Sequence, residues 1–410
     1  MQSRRNFIGK VATGLAGTLA ASNVLGANDR IRIGIIGPGA RGSEILRQAL
    51  ACPNTECIGA ADVYLRRRDL VKTIAPDAKT YADYRRMLED KDIDAVLIAT
   101  PQHLHAECFT AALDAGKHVY QEKTMAFTVE HAKRMRAATQ RAGKQRIVQI
   151  GHQWTSTGQM TDALSYLKPE LMGKITMIHG HMYRNTPHGK PQWAKPIYPD
   201  MTPENVDWKG FLGEAPQRPF EANRYANWRF FWDYSGGNVT ENLCHQLSFW
   251  YKALGLGIPK SVTMTGGLYL WKDGREVPDT MNVSMEHDDM LFTWDSGFGN
   301  ERLGVAEEVL GDNGTISHTQ QSIRYTPEKK TRPDGNEMVG LTKADPKAHM
   351  QNFLDAIRDS GTPINCPFDL GFRLLHSQET PKASISPAGR RSVQVHRLCG
   401  QRVPPVLFRR

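Results

Sequence analysis

A short apolar strand, a glycine-rich turn and a helix follow one another shortly after residue 30. "RIRIGIIG" is a continuous apolar run typical of a strand buried on both faces, and "RGSEILRQAL" has helical spacing. Further strands are predicted at "TECIGAAD", "DAVLIAT", "GKHVYQE" and "RIVQIG", separated by helices that include "DLVKTIA", "HAECFTAALDAG" and "VEHAKRMRAATQRAG". Repeated strand–helix units of this length predict a doubly wound parallel sheet.

The turn after the first predicted strand carries Gly37, Gly39 and Gly42 in the spacing G-x-G-x-x-G. The first glycine permits a tight turn, the second lets a pyrophosphate approach the backbone, and the third lets helix and strand pack closely. Asp62 ends the second predicted strand, where a carboxylate can accept hydrogen bonds from an adenosine ribose. These features predict a Rossmann domain that binds a dinucleotide. The alternative is a glycine-rich turn with an incidental aspartate.

The charges around Asp62 bear on the choice of dinucleotide. A carboxylate at this position repels the 2′-phosphate of NADP and favours NAD. Arg66, Arg67 and Arg68 follow closely, and guanidinium groups bind phosphates well. A solvated helix start is the alternative role for these arginines. The sequence therefore predicts NAD and leaves NADP open.

The second half of the chain has a different pattern. "KITMIHGHMY", "SVTMTGGLYLW", "TMNVSMEH", "DMLFTWDS", "LGVAEEVLG" and "TISH" are short β-prone segments separated by turn residues such as Asp273-Gly274 and Asn313-Gly314. This pattern predicts a mainly antiparallel sheet with one covered face. The predicted fold is α/β, with a nucleotide-binding domain over residues 28–150 and a second domain over residues 151–372.

The positive charge of the chain is concentrated at its two ends. The formal net charge is +9, but residues 1–27 hold three basic residues and no acid, and residues 373–410 hold eight basic residues and one acid. Residues 28–372 therefore carry a net charge of −1. A nearly neutral body does not predict a nucleic-acid partner.

The first 27 residues are predicted to be a signal peptide of the twin-arginine type. "SRRNFIGK" is followed by "VATGLAGTLAASNVLGA", which is too short and too rich in glycine for a good membrane span and ends in small residues. Paired arginines before Phe7 and Ile8 resemble the twin-arginine signal. The expected location is the periplasm or another exported compartment, with no membrane span after signal removal.

The last residues and the cysteines are predicted to contribute no chemistry. Residues 373–410 contain four prolines and low apolar periodicity, which predicts a poorly ordered or frame-shifted basic tail. The cysteines are scattered without paired spacing, so we expect buried free thiols and no metal site. They are Cys52, Cys57, Cys108, Cys244, Cys366 and Cys399.

Four ordered motifs resemble the glucose-fructose oxidoreductase/inositol dehydrogenase/rhizopine-catabolism family, known as Gfo/Idh/MocA. They are "GIIGPGARG", "ATPQHLHAE", "GKHVYQEKT" and "WDYSGGNVTENLCHQLSFW", and the resemblance covers roughly residues 30–370. It implies a second domain whose open, mainly antiparallel sheet carries a sugar-like substrate and can form a homo-oligomer contact. For the cofactor site it implies Arg41, Thr100, Pro101, His105, Glu122 and Lys123 besides the three glycines and Asp62.

Glu122 and Lys123 fall where the fifth predicted strand of the parallel sheet ends. Ligands of such sheets bind outside the carboxyl ends of the strands, although a solvated loop tip is the alternative. The resemblance matches Lys123 to the lysine of an E-K-P motif, which reaches both the nicotinamide and the substrate hydroxyl. Thr124 stands where the family has proline.

A helix is predicted from about Val239 to Leu254, with an apolar stripe and with Glu241 and His245 four residues apart. The resemblance matches this pair to a D-x-x-x-H motif that faces the nicotinamide. It implies that His245 is the general base, and that the longer Glu241 orients the histidine or a substrate hydroxyl differently. A satisfied core histidine is the alternative.

Aromatic and polar residues are concentrated in two segments expected to face this site. Aromatic rings pack against the C–H face of sugars, and arginine binds hydroxyls or a carboxylate. Loop anchoring and core packing are the alternatives for each residue. The predicted substrate-binding set is Tyr183, Arg184, His188, Trp193, Arg229 and Trp232, with Trp228 in the same segment.

The leading functional prediction is an NAD(P)-dependent oxidoreductase that takes a hydride from a sugar or cyclitol carbon to nicotinamide C4. One alternative is a glycosidase that keeps NAD bound and uses transient oxidation followed by elimination. Another is a non-catalytic sugar or nucleotide binder. Because free NAD is scarce outside the cytoplasm, a tightly bound cofactor is expected for either enzyme.

Overall fold

The computed structural model describes residues 30–342 and 345–378, together with the backbone of residues 391–392 and 396–397. The predicted signal peptide at 1–27, Cys399 and most of the predicted tail lie outside these residues.

Six parallel strands form the first sheet. They are β1 (Ile31–Ile36), β2 (Thr55–Ala61), β3 (Lys79–Tyr81), β4 (Ala95–Ile98), β5 (His118–Glu122) and β6 (Val148–Gly151). The intervening helices are α1 (Ala40–Leu50), α2 (Leu65–Val71), α3 (Tyr84–Leu88), α4 (His105–Asp114) and α5 (Val129–Ala142). The doubly wound parallel sheet is confirmed; β3 was not predicted.

The strand order of this sheet is β3-β2-β1-β4-β5-β6. The direction of winding reverses between β1 and β4, which are direct neighbours. Ligands of doubly wound sheets bind in the crevice at such a switch point, outside the carboxyl ends of the strands. The glycine-rich turn after β1 and the Thr100 loop after β4 meet there.

The second sheet has ten strands within the described residues. They are β7 (Ile175–Tyr183), β8 (Ser261–Gly267), β9 (Thr280–Glu286), β10 (Leu291–Gly297), β11 (Val305–Gly311), β12 (Gly314–Thr319), β13 (Ile323–Pro327), β14 (Met338–Gly340), β15 (Arg391–Ser392) and β16 (His396–Arg397). Their order is β14-β13-β12-β11-β7-β10-β9-β8-β15, with β16 also paired to β8. Among the described strands of this sheet, the only parallel pair is β7 with β10. The mainly antiparallel sheet is therefore confirmed.

The remaining helices join the two sheets. They are α6 (Gln159–Tyr166), α7 (Pro169–Met172), α8 (Trp208–Leu212), α9 (Ala222–Ala226), α10 (Cys244–Leu254), α11 (Ala348–Arg358) and α12 (Phe368–Ser377). A single hydrophobic core runs from Val96 and Val119 of the first sheet through Leu247 of α10 to Ile178 and Trp294 of the second. The two sheets therefore share one packed interior.

The chain returns to the first sheet near its end. Phe353 and Leu354 of α11 pack with Ile33, Ile35 and Leu97 on the other face of that sheet. α12 continues five residues beyond the domain end expected at 372, because Leu374 and Leu375 are buried in the shared core. The predicted start of the tail at residue 373 is therefore too early.

Five of the six cysteines are described, and all five are buried and free, as expected. None of the helices in residues 30–342 and 345–378 combines the length and apolar character needed to cross a bilayer.

Candidate cofactor and active site

The glycine-rich turn after β1 has the geometry of a phosphate-binding turn. Gly37 has a φ of +82°, and a Cβ on it would lie 3.0 Å from the backbone of Ala99 and Thr100. A Cβ on Gly42 would lie 2.1 Å from the carbonyl oxygen of Gly37, which leaves no room for any other residue. A Cβ on Gly39 would meet the Arg67 guanidinium first, at 3.2 Å. The glycine-rich turn therefore fits a pyrophosphate against the start of α1.

Asp62 lies at the carboxyl end of β2, beside this turn. Its Oδ1 accepts a hydrogen bond from the backbone N–H of Tyr64 at 2.9 Å, and its Oδ2 lies 3.7 Å from Nη1 of Arg67. Burial raises the pKa of Asp62, and the positive charge of Arg67 opposes this effect. The carboxylate is placed for a ribose, with Arg67 as its counter-ion.

Arg41 and Glu122 form an ion pair across the mouth of the turn. Nε of Arg41 lies 2.8 Å from Oε1 of Glu122, and Arg41 also donates to the side chain of Gln153. The other carboxylate oxygen of Glu122 accepts the backbone N–H of Lys123 at 3.1 Å. Glu122 therefore fixes the start of the segment that carries Lys123.

His105 joins two loops. Its Nδ1 lies 2.7 Å from the carbonyl oxygen of Thr124, and its Nε2 lies 2.9 Å from that of Thr100. Burial lowers the pKa of His105, so the neutral ring donates to one of these carbonyls. Thr100 and Pro101 do line the pocket beside Asp62.

The central feature of the site is a buried ion pair between the two domains. Nζ of Lys123 lies 3.2 Å from Oε2 of Glu241 and donates to the backbone carbonyl of Glu241 at 2.9 Å. Nε of Arg229 donates to the same Oε2 at 3.1 Å, and Nε2 of Gln102 donates to Oε1 at 2.8 Å. Every oxygen of Glu241 is therefore occupied by a donor.

Glu241 is ionised because of these partners. Burial disfavours its charged form, but the charges and hydrogen bonds of Arg229 and Lys123 outweigh burial and lower the pKa of Glu241 to about 2. The side chain thus orients Lys123 and Arg229. Two roles are expected for Glu241, to orient His245 or to orient a substrate hydroxyl. The observed contacts of Glu241 do not support the first role.

The predicted helix from Val239 is present, but its first part is wound as a π-helix over Val239–Leu243 before α10 begins. Such wider turns occur often at functional sites. Here the wide turn carries Glu241, whose carbonyl and carboxylate both bind Lys123.

His245 follows at the start of α10 with its ring 5.6 Å from that of Trp154. Its Nδ1 is buried and has no hydrogen-bond partner within the described part of the chain. Burial lowers the pKa of His245 well below its usual value, and the positive charge of Lys123 lowers it further. The ring is therefore neutral.

The structure divides the predicted substrate-binding residues. Arg229 contacts Glu241 at 3.1 Å. Arg184 follows the end of β7, where the carbonyl of Met182 accepts a hydrogen bond from the hydroxyl of Ser296, which in turn accepts one from Nδ2 of Asn238 beside the Glu241 turn. Tyr183 lies next to Arg184 at the end of β7.

The other predicted residues serve the surrounding loops. The ring of Trp193 packs edge-on against Phe298 at 4.8 Å, and the backbone N–H of Trp232 donates to Glu276 at 3.0 Å. His188 is exposed, and among the described residues no hydrogen bond or ion pair joins it to the centre. Trp228 lines the pocket beside Asp62.

Gln102 is a site residue that the sequence reasoning missed. It binds Glu241 and Thr240 through Nε2, and its Oε1 accepts the backbone N–H of Gly236 at 3.0 Å. The sequence feature that could have indicated Gln102 is its position directly after β4, because the carboxyl ends of parallel strands meet at one edge of the sheet. The sequence offered no comparable indication for Trp154, whose ring lies beside that of His245.

A long segment of the second domain covers the cofactor pocket. Residues 193–236, here named the cap, contain α8 and α9 and an aromatic cluster that includes Phe211, Tyr225 and Tyr234. Phe211, Tyr225 and Trp228 form a wall of the pocket whose other side holds Asp62 and Thr100. A dinucleotide bound at Asp62 would lie beneath the cap.

Polar contacts fasten the cap to the first domain. Val206 forms an antiparallel bridge with Tyr64, and the backbone N–H of Leu65 donates to the carbonyl of Asn205 at 2.9 Å. At the far end Arg134 of α5 binds both carboxylate oxygens of Glu214, at 2.7 and 2.9 Å.

Within residues 30–342 and 345–378, no group of three or more His, Cys, Asp or Glu side chains is placed to hold a metal ion.

Residues 31–152 match the family model GFO_IDH_MocA, described as "Oxidoreductase family, NAD-binding Rossmann fold". The first domain is therefore an NAD-binding Rossmann domain similar to those of that oxidoreductase family.

Curated relatives match part of the chain. The inositol 2-dehydrogenase of Salmonella typhimurium is 32% identical over 155 residues, which are 37% of this chain and 46% of the relative. The levoglucosan dehydrogenase of Pseudarthrobacter phenanthrenivorans is 36% identical over 99 residues, 24% of this chain and 25% of the relative. The matched region thus spans less than half of either relative.

Solved structures share the fold of both domains. Levoglucosan dehydrogenase in complex with NADH and levoglucosan superposes with a TM-score of 0.66 at 19% identity, over 85% of this chain and 95% of that one. The WlbA dehydrogenase from Bordetella pertussis, in complex with NADH and UDP-GlcNAcA, gives 0.61 at 18% identity over 84% and 93%. At these identities the similarity establishes the fold.

Proposed function

We propose that this protein is an NAD-dependent oxidoreductase that oxidises a hydroxyl of a sugar or cyclitol. The observation that carries the proposal is the contact of Lys123 with Glu241, beside a neutral His245, at the carboxyl edge of an NAD-binding domain. The names of the relatives, inositol 2-dehydrogenase and levoglucosan dehydrogenase, support the same class of substrate.

The residues of the site divide the chemistry among them. When bound, NAD supplies the hydride acceptor at nicotinamide C4. The turn at Gly37, Gly39 and Gly42 would hold its pyrophosphate, and Asp62 its ribose. Lys123, fixed by Glu241, donates a hydrogen bond to the reacting hydroxyl oxygen, and neutral His245 takes the hydroxyl proton.

We also propose that NAD stays bound between turnovers. The support is the cap, which walls the pocket beside Asp62 and is fastened to the first domain at Tyr64 and Arg134. A cofactor held in this way has to be oxidised and reduced in place, by one substrate after another.

The experiment that tests the proposed function begins with the dinucleotide released when the purified protein is unfolded. The intact protein is then incubated with free sugars and cyclitols and with aryl glycosides. Formation of NADH from a polyol, lost in His245→Gln, is the expected result. Release of aryl alcohol without net NADH would replace the proposal with the NAD-dependent glycosidase. Absence of both with cofactor present would leave a sugar-binding homologue.

We propose export by the twin-arginine route, on the strength of Arg4 and Arg5 before the apolar run. The test is fractionation of cells that express the full chain. The periplasmic fraction should hold the protein, and Arg4→Lys with Arg5→Lys should retain it in the cytoplasm. A protein that stays cytoplasmic without these substitutions would contradict the proposal.

We further propose that the chain self-associates through the second sheet. His179, His181 and Tyr183 of β7 lie on one face of that sheet and are only half-buried. Light scattering at several concentrations tests this, and a monomer throughout would overturn it.

A further inference from the structure

Arg184 is a partly buried arginine that lacks a carboxylate partner among the described residues. It directly follows β7, and its backbone N–H donates to the carbonyl of Gly297 at 2.9 Å. Its guanidinium contacts the sulfur of Met182 at 3.4 Å. No Asp or Glu in residues 30–342 and 345–378 forms an ion pair with it.

The other arginines of the site are all paired. Arg229 lies 3.1 Å from Glu241, Arg41 lies 2.8 Å from Glu122, and Arg67 lies 3.7 Å from Asp62. The site therefore supplies a counter-ion to each guanidinium except that of Arg184. A partly desolvated cation without a partner is costly unless a ligand supplies the anion.

Arg184 lies close to the turn that carries Glu241. Nδ2 of Asn238, the residue before that turn, donates to Oγ of Ser296 at 2.7 Å, and this hydroxyl donates to the carbonyl of Met182, two residues before Arg184, at 2.7 Å. The end of β7 and the Glu241 turn therefore border the same side of the site, and the negative charge of Glu241 acts on Arg184.

The charges on the substrate side do not balance. Lys123, Arg184 and Arg229 are cations, and the one carboxylate among them, Glu241, pairs with Lys123 and Arg229. An oxidised nicotinamide would add a further positive charge. A neutral sugar leaves this excess uncompensated, whereas one anionic group would offset part of it.

We propose that the substrate carries an oxyanion, and that Arg184 binds it. The fitting class is a sugar or cyclitol acid, since a planar guanidinium pairs with a carboxylate through two parallel hydrogen bonds. A sulfate or phosphate ester offers the same chemistry. This inference rests on the proposed oxidoreductase function and specifies its substrate.

The test compares matched pairs on the NAD-loaded protein. Glucuronate is set against glucose and against the methyl ester of glucuronate, which keeps the size and removes the charge. Galacturonate and galactose form a second pair, and glucose 6-phosphate and glucose 6-sulfate test the other oxyanions. Calorimetry measures binding, and NADH absorbance follows reduction of the bound NAD in a single turnover. We expect an acid to exceed both its neutral partner and its ester by at least about tenfold in the second-order rate constant of NADH formation.

Three variants identify the residue responsible. Arg184→Met should abolish the preference for the acid, and Arg184→Lys should retain part of it because the charge remains. Arg324→Met is the matched control, since Arg324 is an exposed arginine of β13 paired with Glu337. It should keep the full preference.

The outcomes separate this inference from the proposed function. Turnover of neutral sugars without preference for any oxyanion would overturn the inference alone. Arg184-dependent binding of an acid without NADH formation would support it and contradict the proposed oxidation. Failure of every acid and ester to bind would overturn it, and so would a preference that survives in Arg184→Met.

Discussion

Lys123 and Glu241 come from different domains, yet Nζ of one lies 3.2 Å from Oε2 of the other. Lys123 follows the last residue of β5 in the parallel sheet, and Glu241 lies in the π-helical turn before α10. The contact therefore fixes the distance between the two halves of the active site. A change in domain orientation has to break this buried ion pair.

Replacement of Glu241 by Gln should lower kcat by about 10²-fold, because Lys123 loses the charge that positions it. It should also lower the free energy of unfolding by roughly 3 kcal/mol, since Lys123 and Arg229 remain partly buried beside a neutral group. Steady-state kinetics and urea unfolding measure the two effects.

The conservative variant Glu241→Asp provides the control for this prediction. It keeps the charge and should restore most of the stability, with an intermediate kcat. An equal loss of kcat in both variants would show that chain length at this position matters more than charge.

His245→Gln should lower kcat by about 10²- to 10⁴-fold without loss of bound NAD, because the general base is removed while the glycine turn is intact. Dinucleotide content after unfolding is the control. If the variant keeps most of its activity, His245 is a core histidine and not the general base.

The activity that depends on His245 should persist at lower pH than an ordinary histidine allows. Burial and the charge of Lys123 lower the pKa of His245 well below 6.5, so the ring stays neutral as the pH falls through 6.5. NMR of ¹⁵N-labelled imidazoles measures this directly. Protonation of His245 near pH 6.5 would contradict it.

Gly42→Ala should abolish NAD binding, because its Cβ would lie 2.1 Å from the carbonyl oxygen of Gly37 and would force the turn open. Gly257→Ala is the matched control, since a Cβ at Gly257 meets nothing within 4 Å. Calorimetric titration with NAD distinguishes them. Wild-type affinity in Gly42→Ala would mean that the turn does not hold the pyrophosphate.

Sequence patterns predicted the parts of the structure that depend on local order. The apolar runs of β1, β2, β4, β5 and β6 predicted the first sheet, and the glycine spacing predicted the turn, because both signals lie within a few neighbouring residues. The helix with Glu241 and His245 was predicted for the same reason. β3 was missed because three residues, only half-buried, give almost no periodic signal.

The parts that were not predicted depend on contacts between distant residues. Gln102 and Glu241 are 139 positions apart, and only the packed structure brings them within 2.8 Å. Trp193, Trp228 and Trp232 predicted a sugar site by composition, whereas Trp228 lines the pocket beside Asp62. Neither periodicity nor spacing encodes which partner such a ring will meet.

Acid should destabilise the fold between about pH 6.5 and pH 4. Burial lowers the pKa of His103 and His349 to about 4 and that of His152 to about 3. In this window the unfolded chain binds protons that the folded chain does not, so the free energy of unfolding decreases as the pH is lowered. Each ring contributes on the order of 3 kcal/mol at most.

His349→Gln should reduce this slope by about 1.4 kcal/mol per pH unit, the effect of one proton. Val283→Ala, a core truncation, is the control and should lower stability equally at every pH. Urea unfolding at several pH values measures the slopes. Glu241 adds its own loss only below pH 4.5, since its pKa is lowered to about 2.

Tyr225→Ala should release NAD at least about tenfold faster than the wild type, because a loss of 1.4 kcal/mol from the closed cap is a factor of ten. The ring of Tyr225 packs edge-on against Tyr64 at 5.6 Å and lies under the guanidinium of Arg67, so it links the cap to the start of α2. Dissociation of NADH into an excess of a trapping dehydrogenase gives the rate. Tyr269→Ala is the control, since Tyr269 is exposed and lies outside the cap. Rapid release from the wild type, unchanged in Tyr225→Ala, would show that the cap does not retain the cofactor.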